Sequence, residues 1–83
     1  MVTEFTMPKL GHLMEEGTIA FWHKDVGARV EKGETLLEVE TDKAIIAVEA
    51  MDDAVLLEIL VDSGETVPVG TPIALLGKME DMA

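Results

Sequence analysis

Apolar and polar residues along this chain recur with the period of two that marks β-strands. Leu37, Val39 and Thr41 alternate with Glu38 and Glu40, and Ala44, Ile46 and Val48 continue the alternation beyond Asp42-Lys43. Similar runs rich in valine, isoleucine, leucine and threonine lie between seven glycines and three prolines. Short runs punctuated in this way predict a small all-β sandwich or barrel. No longer stretch keeps a helical apolar period without a glycine or proline interrupting it.

The pattern repeats. Gly27, Val30, Gly33 and Leu36 recur as Gly64, Val67, Gly70 and Ile73 at a constant offset of 37 residues. Upstream, Ile19 falls on Leu56 and Trp22 on Ile59. Solenoids need about three or more such copies. Two copies in a short chain predict two similar halves packed about a pseudo-twofold axis, against the alternative of chance similarity between glycine-punctuated strands.

The segment around Asp42-Lys43 predicts a hairpin with a fixed register. If these two residues are the loop, Thr41 faces Ala44, Val39 faces Ile46 and Leu37 faces Val48. All six then share one face, and Glu38 and Glu40 share the other with Ala47 and Ile45. A slip of one residue exposes Val39 and Ile46, so burial sets the register. Tight hairpins favour glycine because primed turns need positive φ. Asp42-Lys43 offers none, which predicts a type I variant or a strained turn. Lys43 stands at the apex, where an enzyme can reach it. Taken alone, that is also the description of an ordinary solvated lysine in a surface turn.

Composition narrows the function. At 83 residues the chain forms one small domain, expected over 1–79, with 80–83 the start of a linker or a frayed end. A formal net charge of −11 repels nucleic acid and anionic membrane surfaces and suits partners with basic docking surfaces. No apolar run is long enough to cross a bilayer, and the first residues do not read as a signal peptide. The absence of cysteine removes disulfides, thiolate metal sites and a cysteine nucleophile together. Ser63 is the only serine, and His12 and His23 have no partner that spacing identifies, so a catalytic reading is poorly supported. Glu49, Asp52 and Asp53 lack the spacing of a calcium loop and read as a solvated acidic turn. Trp22 is expected in the core.

Glu40-Thr41-Asp42-Lys43-Ala44 resembles the lipoylation motif of lipoyl domains in 2-oxo acid dehydrogenase complexes. Met7-Pro8-Lys9-Leu10-Gly11, Met14-Glu15-Glu16-Gly17-Thr18-Ile19 and Trp22 resemble the family's opening strand, loop and second strand. The resemblance continues through Leu36-Leu37-Glu38-Val39, Glu58-Ile59-Leu60-Val61 and Gly64-Glu65-Thr66-Val67-Pro68-Val69-Gly70, and so covers nearly the whole chain. It implies a flattened β-barrel, a barrel-sandwich hybrid of two four-stranded antiparallel sheets related by a pseudo-twofold axis. The Lys43 hairpin would lie at one end and both chain termini at the other.

The resemblance also implies a non-catalytic carrier, part of a dihydrolipoamide acyltransferase, with lipoic acid bound covalently as N6-lipoyllysine at Lys43. A lipoyl ligase or transferase would read Glu40, Thr41, Asp42 and Ala44. A thiamine-dependent 2-oxo acid decarboxylase would read Gly11, His12, Leu13, Met14, Glu15 and Glu16, though Leu13 and Met14 serve equally well as local packing. An acyltransferase core would take the acyl group and a dihydrolipoyl dehydrogenase would reoxidise the arm. The opening Met7-Pro8-Lys9-Leu10-Gly11 is closer to pyruvate complexes, then acetoin or branched-chain ones, than to 2-oxoglutarate complexes. The isolated domain is expected to be monomeric, in the cytoplasm of a bacterium or the mitochondrial matrix of a eukaryote. A biotin carrier shares the fold, but its lysine is typically flanked by methionines, not by Asp42 and Ala44. An unmodified interaction module is the remaining alternative. Two positions depart from the family pattern. Ala28 replaces an acidic residue, and Ala54 replaces a glycine, which puts the turn at 51–54 in doubt because alanine resists positive φ.

Overall fold

The computed structural model describes residues 2–78, so the linker expected at 80–83 lies outside the described residues. These residues form eight strands: β1 Thr3–Thr6, β2 Glu16–Trp22, β3 Arg29–Val30, β4 Thr35–Glu40, β5 Ile45–Glu49, β6 Ala54–Ile59, β7 Thr66–Pro68 and β8 Pro72–Gly77. One sheet has the order β1-β8-β6-β3 and the other β5-β4-β2-β7. All pairings are antiparallel.

The offset of 37 is a symmetry of this backbone. It carries β3 and β4 onto β7 and β8, and carries β2 onto β6 to within the first residue. With β1 matched to β5, the strand order of one sheet becomes that of the other. Irregularities match too: the β2–β4 register shifts between Ile19 and Phe21, and the β6–β8 register between Leu56 and Glu58. Four glycines of the repeat, Gly27, Gly33, Gly64 and Gly70, have φ of 94°, 91°, 94° and 93°. In this region a side chain strains the backbone, so the repeat conserves the one residue type that each bend accepts without cost. Chance similarity does not produce matched bends, bulges and pairings.

The sheets exchange their glycine bends at the centre. Gly64 donates to the Ile19 carbonyl, and Gly27 donates to the Leu56 carbonyl, both at 2.7 Å. Ile19, Leu36 and Ile73 are fully buried between the layers with Met7, Val30 and Val39. Each such side chain contributes about 1.5–3 kcal/mol by leaving water. Trp22 departs from expectation: it lies half-buried at the edge of this core, with its indole N–H bonded to a main-chain carbonyl. The ring is too large for so thin a core to enclose, and its polar edge finds a partner at the rim.

Ala54 starts β6 opposite Val30, and no non-glycine residue among those described has positive φ. The turn before it therefore never requires glycine. Asp53, expected in a merely solvated acidic turn, accepts the Lys32 N–H at 2.8 Å and ties that turn to the β3–β4 loop.

Strand β5 runs from the Lys43 hairpin to residues 51–53, about 17 Å at the usual rise for its five residues. There residues 51–54 border a depression shared with Thr3, Phe5, Leu76 and Lys78. The first and last described strands, paired Thr3 to Leu76, thus end far from the hairpin.

Candidate functional site

The hairpin forms in the expected register. Leu37 pairs Val48, Val39 pairs Ile46 and Glu40 pairs Ile45. The Thr41 N–H then donates to the Ala44 carbonyl at 2.8 Å. Leu37, Val39 and Val48 are buried, whereas Ala47 and Ile45 on the opposite face are exposed. The loop is thus fixed to a buried ribbon on one face, and Asp42 and Lys43 project beyond it into solvent.

The turn has no positive φ, which agrees with the type I variant expected and excludes the primed kind. Residues 42 and 43 make a bend and not a backbone-hydrogen-bonded turn, with no positive φ. It belongs to the open turns, and the Thr41 side chain closes it. The Thr41 hydroxyl accepts the N–H of Lys43 at 3.3 Å and that of Ala44 at 3.2 Å, and donates to the Ala44 carbonyl at 3.0 Å. The sequence carried a signal for this, because threonine before a turn bonds to backbone groups two and three residues on.

Two depressions flank the hairpin. One, of about 410 Å³, is lined by Leu10, Gly11, His12, Leu13 and Met14 on one side and by residues 41–44 with Ile46 on the other. The second, of about 430 Å³, brings Leu13, Met14, Glu15 and Glu16 against Glu40, Thr41 and Asp42, with Gly17, Thr18 and Thr66. The loop 11–16 therefore wraps the base of the Lys43 hairpin. Leu13 is 85% exposed, while Met14 is half-buried against the core. The Met14 sulfur accepts the Leu10 N–H at 3.1 Å, which folds the loop back on itself. Met14 is packing, then, and Leu13 is the exposed apolar residue of the loop.

Gly17 is a contributor that sequence reading passed over. A Cβ built there lies 2.7 Å from the Met14 methyl, 2.9 Å from Val39 Cγ1 and 3.0 Å from the Met7 sulfur. Glycine inside a strand marks such close approach. Here it lets the loop seat Met14 beside β4, the strand that leads into Thr41.

The Lys43 amine makes no ion pair among the described residues; the carboxylates of Glu38 and Glu34 are taken by His23 and Lys24. An exposed primary amine at a rigid apex can form an amide with an activated carboxylic acid. The apolar wall of Leu10, Leu13 and Ile46 beside it suits a hydrocarbon-rich acyl chain. These residues fit a covalently attached lipoyl or biotinyl group.

Comparison with known proteins agrees with this geometry. The family model described as "Biotin-requiring enzyme" matches residues 3–76. The dihydrolipoyllysine-residue acetyltransferase component of the acetoin cleaving system of Bacillus subtilis is 40% identical over 93% of this chain and 19% of its own length. The mitochondrial pyruvate dehydrogenase complex protein X component of Saccharomyces cerevisiae is 46% identical over 96% of the chain and 20% of its own length. The chain thus spans about a fifth of the length of these curated relatives. The solution structure of the lipoyl domain of the 2-oxoglutarate dehydrogenase complex from Azotobacter vinelandii superposes with a TM-score of 0.75 at 33% identity, covering 90% of this chain and 95% of that domain. A family match across nearly all the strands and a likeness to an entire lipoyl domain lead to one assignment: this chain belongs to the biotinyl/lipoyl domain family, as a lipoyl domain.

Proposed function

We propose that Lys43 is lipoylated and that the domain carries acyl groups and reducing equivalents between the enzymes of a 2-oxo acid dehydrogenase complex. The observation that carries this reading is the exposed amine of Lys43, without an ion pair among the described residues, at the apex of a buried-face hairpin with Asp42 and Ala44 as its neighbours. When bound, a lipoyl group supplies a disulfide that takes up an acyl group together with two electrons.

The chain's own residues hold and present that arm. The ribbon Leu37–Val48 and Val39–Ile46 fixes where the arm is anchored. The loop 11–16, with Leu13 exposed beside Lys43, is the surface that a thiamine-dependent decarboxylase reads. Glu40, Thr41, Asp42 and Ala44 position Lys43 in the hairpin that a lipoyl ligase or transferase reads. Tethering raises effective concentration, so the domain speeds transfer without catalysing any step. An acyltransferase core and a dihydrolipoyl dehydrogenase complete the cycle. A pyruvate dehydrogenase complex is the parent that the Met7-Pro8-Lys9-Leu10-Gly11 opening supports, with acetoin and branched-chain complexes next.

Intact mass after co-expression with a lipoyl ligase and lipoate tests the carrier reading. A lipoyl increment that disappears in Lys43→Gln is expected, taking the formal charge from −11 to −12 by loss of one ammonium. A biotin increment, or a lipoyl increment that survives the substitution, overturns it. Reductive acylation of the lipoylated domain by purified pyruvate, acetoin, branched-chain and 2-oxoglutarate decarboxylases identifies the parent complex.

A further inference from the structure

We infer that Thr41 is a positioning residue for the modification of Lys43, acting through the turn and not through contact with the modifying enzyme. The inference rests on Lys43 being the lipoylated residue. The bend at 42–43 has no backbone-hydrogen-bonded turn and no glycine or positive φ to hold it. Above the Thr41 N–H to Ala44 carbonyl bond that ends the ribbon, the loop is held by one side-chain oxygen, Thr41 Oγ1, which accepts from the N–H groups of Lys43 and Ala44 and donates to the Ala44 carbonyl.

A hydroxyl has one proton and two lone pairs. In Thr41 all three are in use on the hairpin's own backbone. The group therefore has no donor to offer an approaching enzyme. It controls instead the direction of the Lys43 backbone and hence where the amine is presented. Attack of that amine on an activated lipoyl carbonyl requires orientation, and small misplacements of a reacting atom are costly in rate. The bond formed is the amide, with the activating group leaving and the amine giving up its proton to solvent or to the enzyme.

Thr41→Ser keeps the hydroxyl, and Thr41→Val keeps the shape and the β-branching but removes it. With a lipoyl ligase and ATP-activated lipoate, Thr41→Val is expected to lose about tenfold or more in kcat/KM, carried mainly by kcat. Thr41→Ser is expected to stay within about threefold of wild type on the same orientation argument. In the free domain, without enzyme, the Lys43 and Ala44 amides of the valine variant exchange with solvent faster, while amides of β2 and β6 are unchanged.

Wild-type rates in Thr41→Val overturn the inference, as does a serine variant as poor as valine. A slow valine variant with unchanged Lys43 and Ala44 exchange also overturns it, because the hydroxyl is then read directly by the enzyme. Absence of any lipoyl increment on wild type removes the Lys43 assignment instead. The exchange measurement still decides whether Thr41 holds the turn.

Discussion

The indole N–H of Trp22 donates to the main-chain carbonyl of Val61 at 3.0 Å, joining the end of β2 in one sheet to the turn that follows β6 in the other. The bond spans the two halves of the repeat and is part of what closes the barrel at its edge. Trp22→Phe keeps most of the apolar contact but leaves this carbonyl to water, and is expected to lower stability by about 1 kcal/mol. Trp22→Ala also removes the packing and is expected to cost about 3 kcal/mol, the lower end for an aromatic because the ring is half-buried. Urea unfolding followed by circular dichroism separates the two. Equal losses for the two variants contradict a role for the hydrogen bond.

The repeat is symmetric in backbone but not in side chains. Glu65 accepts the Asp62 N–H at 2.7 Å, whereas the position equivalent to Glu65 is Ala28, which has no acceptor for Asp25. Ala28→Gln restores an acceptor without adding charge and is expected to gain about 0.5–1 kcal/mol. Glu65→Ala is expected to lose a similar amount. Thermal melts of both variants check the pair, and a destabilised Ala28→Gln contradicts the proposed equivalence of the two loops.

Gly17 sits where a side chain meets three others. Gly17→Ala presses on the mobile Met14 methyl but also on Val39, which is fully buried, and on Met7, 1% exposed. A loss of about 1–3 kcal/mol is expected from overpacking. Met14 is displaced as well, and with it the Leu10–Met14 bond that folds the loop 11–16. Decarboxylase-dependent acylation therefore falls together with stability. A neutral Gly17→Ala with unchanged acylation contradicts this.

Acid has a local target at Glu34. Its carboxylate accepts the Glu31 N–H at 2.7 Å and the Lys24 ammonium at 3.1 Å, and the first of these does most to hold its pKa below the ordinary 4.5. A folded pKa below the unfolded one means that Glu34 favours the fold above pH 4.5. That contribution disappears as pH falls through the lowered value. Melting temperatures of wild type and Glu34→Gln are expected to differ at neutral pH and to converge in acid. A gap that stays constant across that range contradicts the linkage.

Much of the architecture was legible in the residues. Strand alternation, the offset of 37 and the positions of Gly27, Gly33, Gly64 and Gly70 carried the two-sheet symmetry, because each property is local or repeats at a fixed spacing. The hairpin register was legible for the same reason: burial of Leu37, Val39 and Val48 permits one pairing. Trp22 was read as a core residue because hydrophobicity gives no measure of how thick the core is.

The chain by itself determined where Lys43 stands, at a two-residue apex of a ribbon whose apolar face admits no slip. What only the tertiary structure decided is what surrounds it. The loop 11–16 reaches the hairpin because β2 lies beside β4 in the sheet and Gly17 admits Met14, relations between residues distant in sequence. The closure of the turn by Thr41 is local in sequence, yet it needs three bond geometries that follow only when the backbone has been placed. Periodicity records which side chains are buried; it does not record which polar atoms meet.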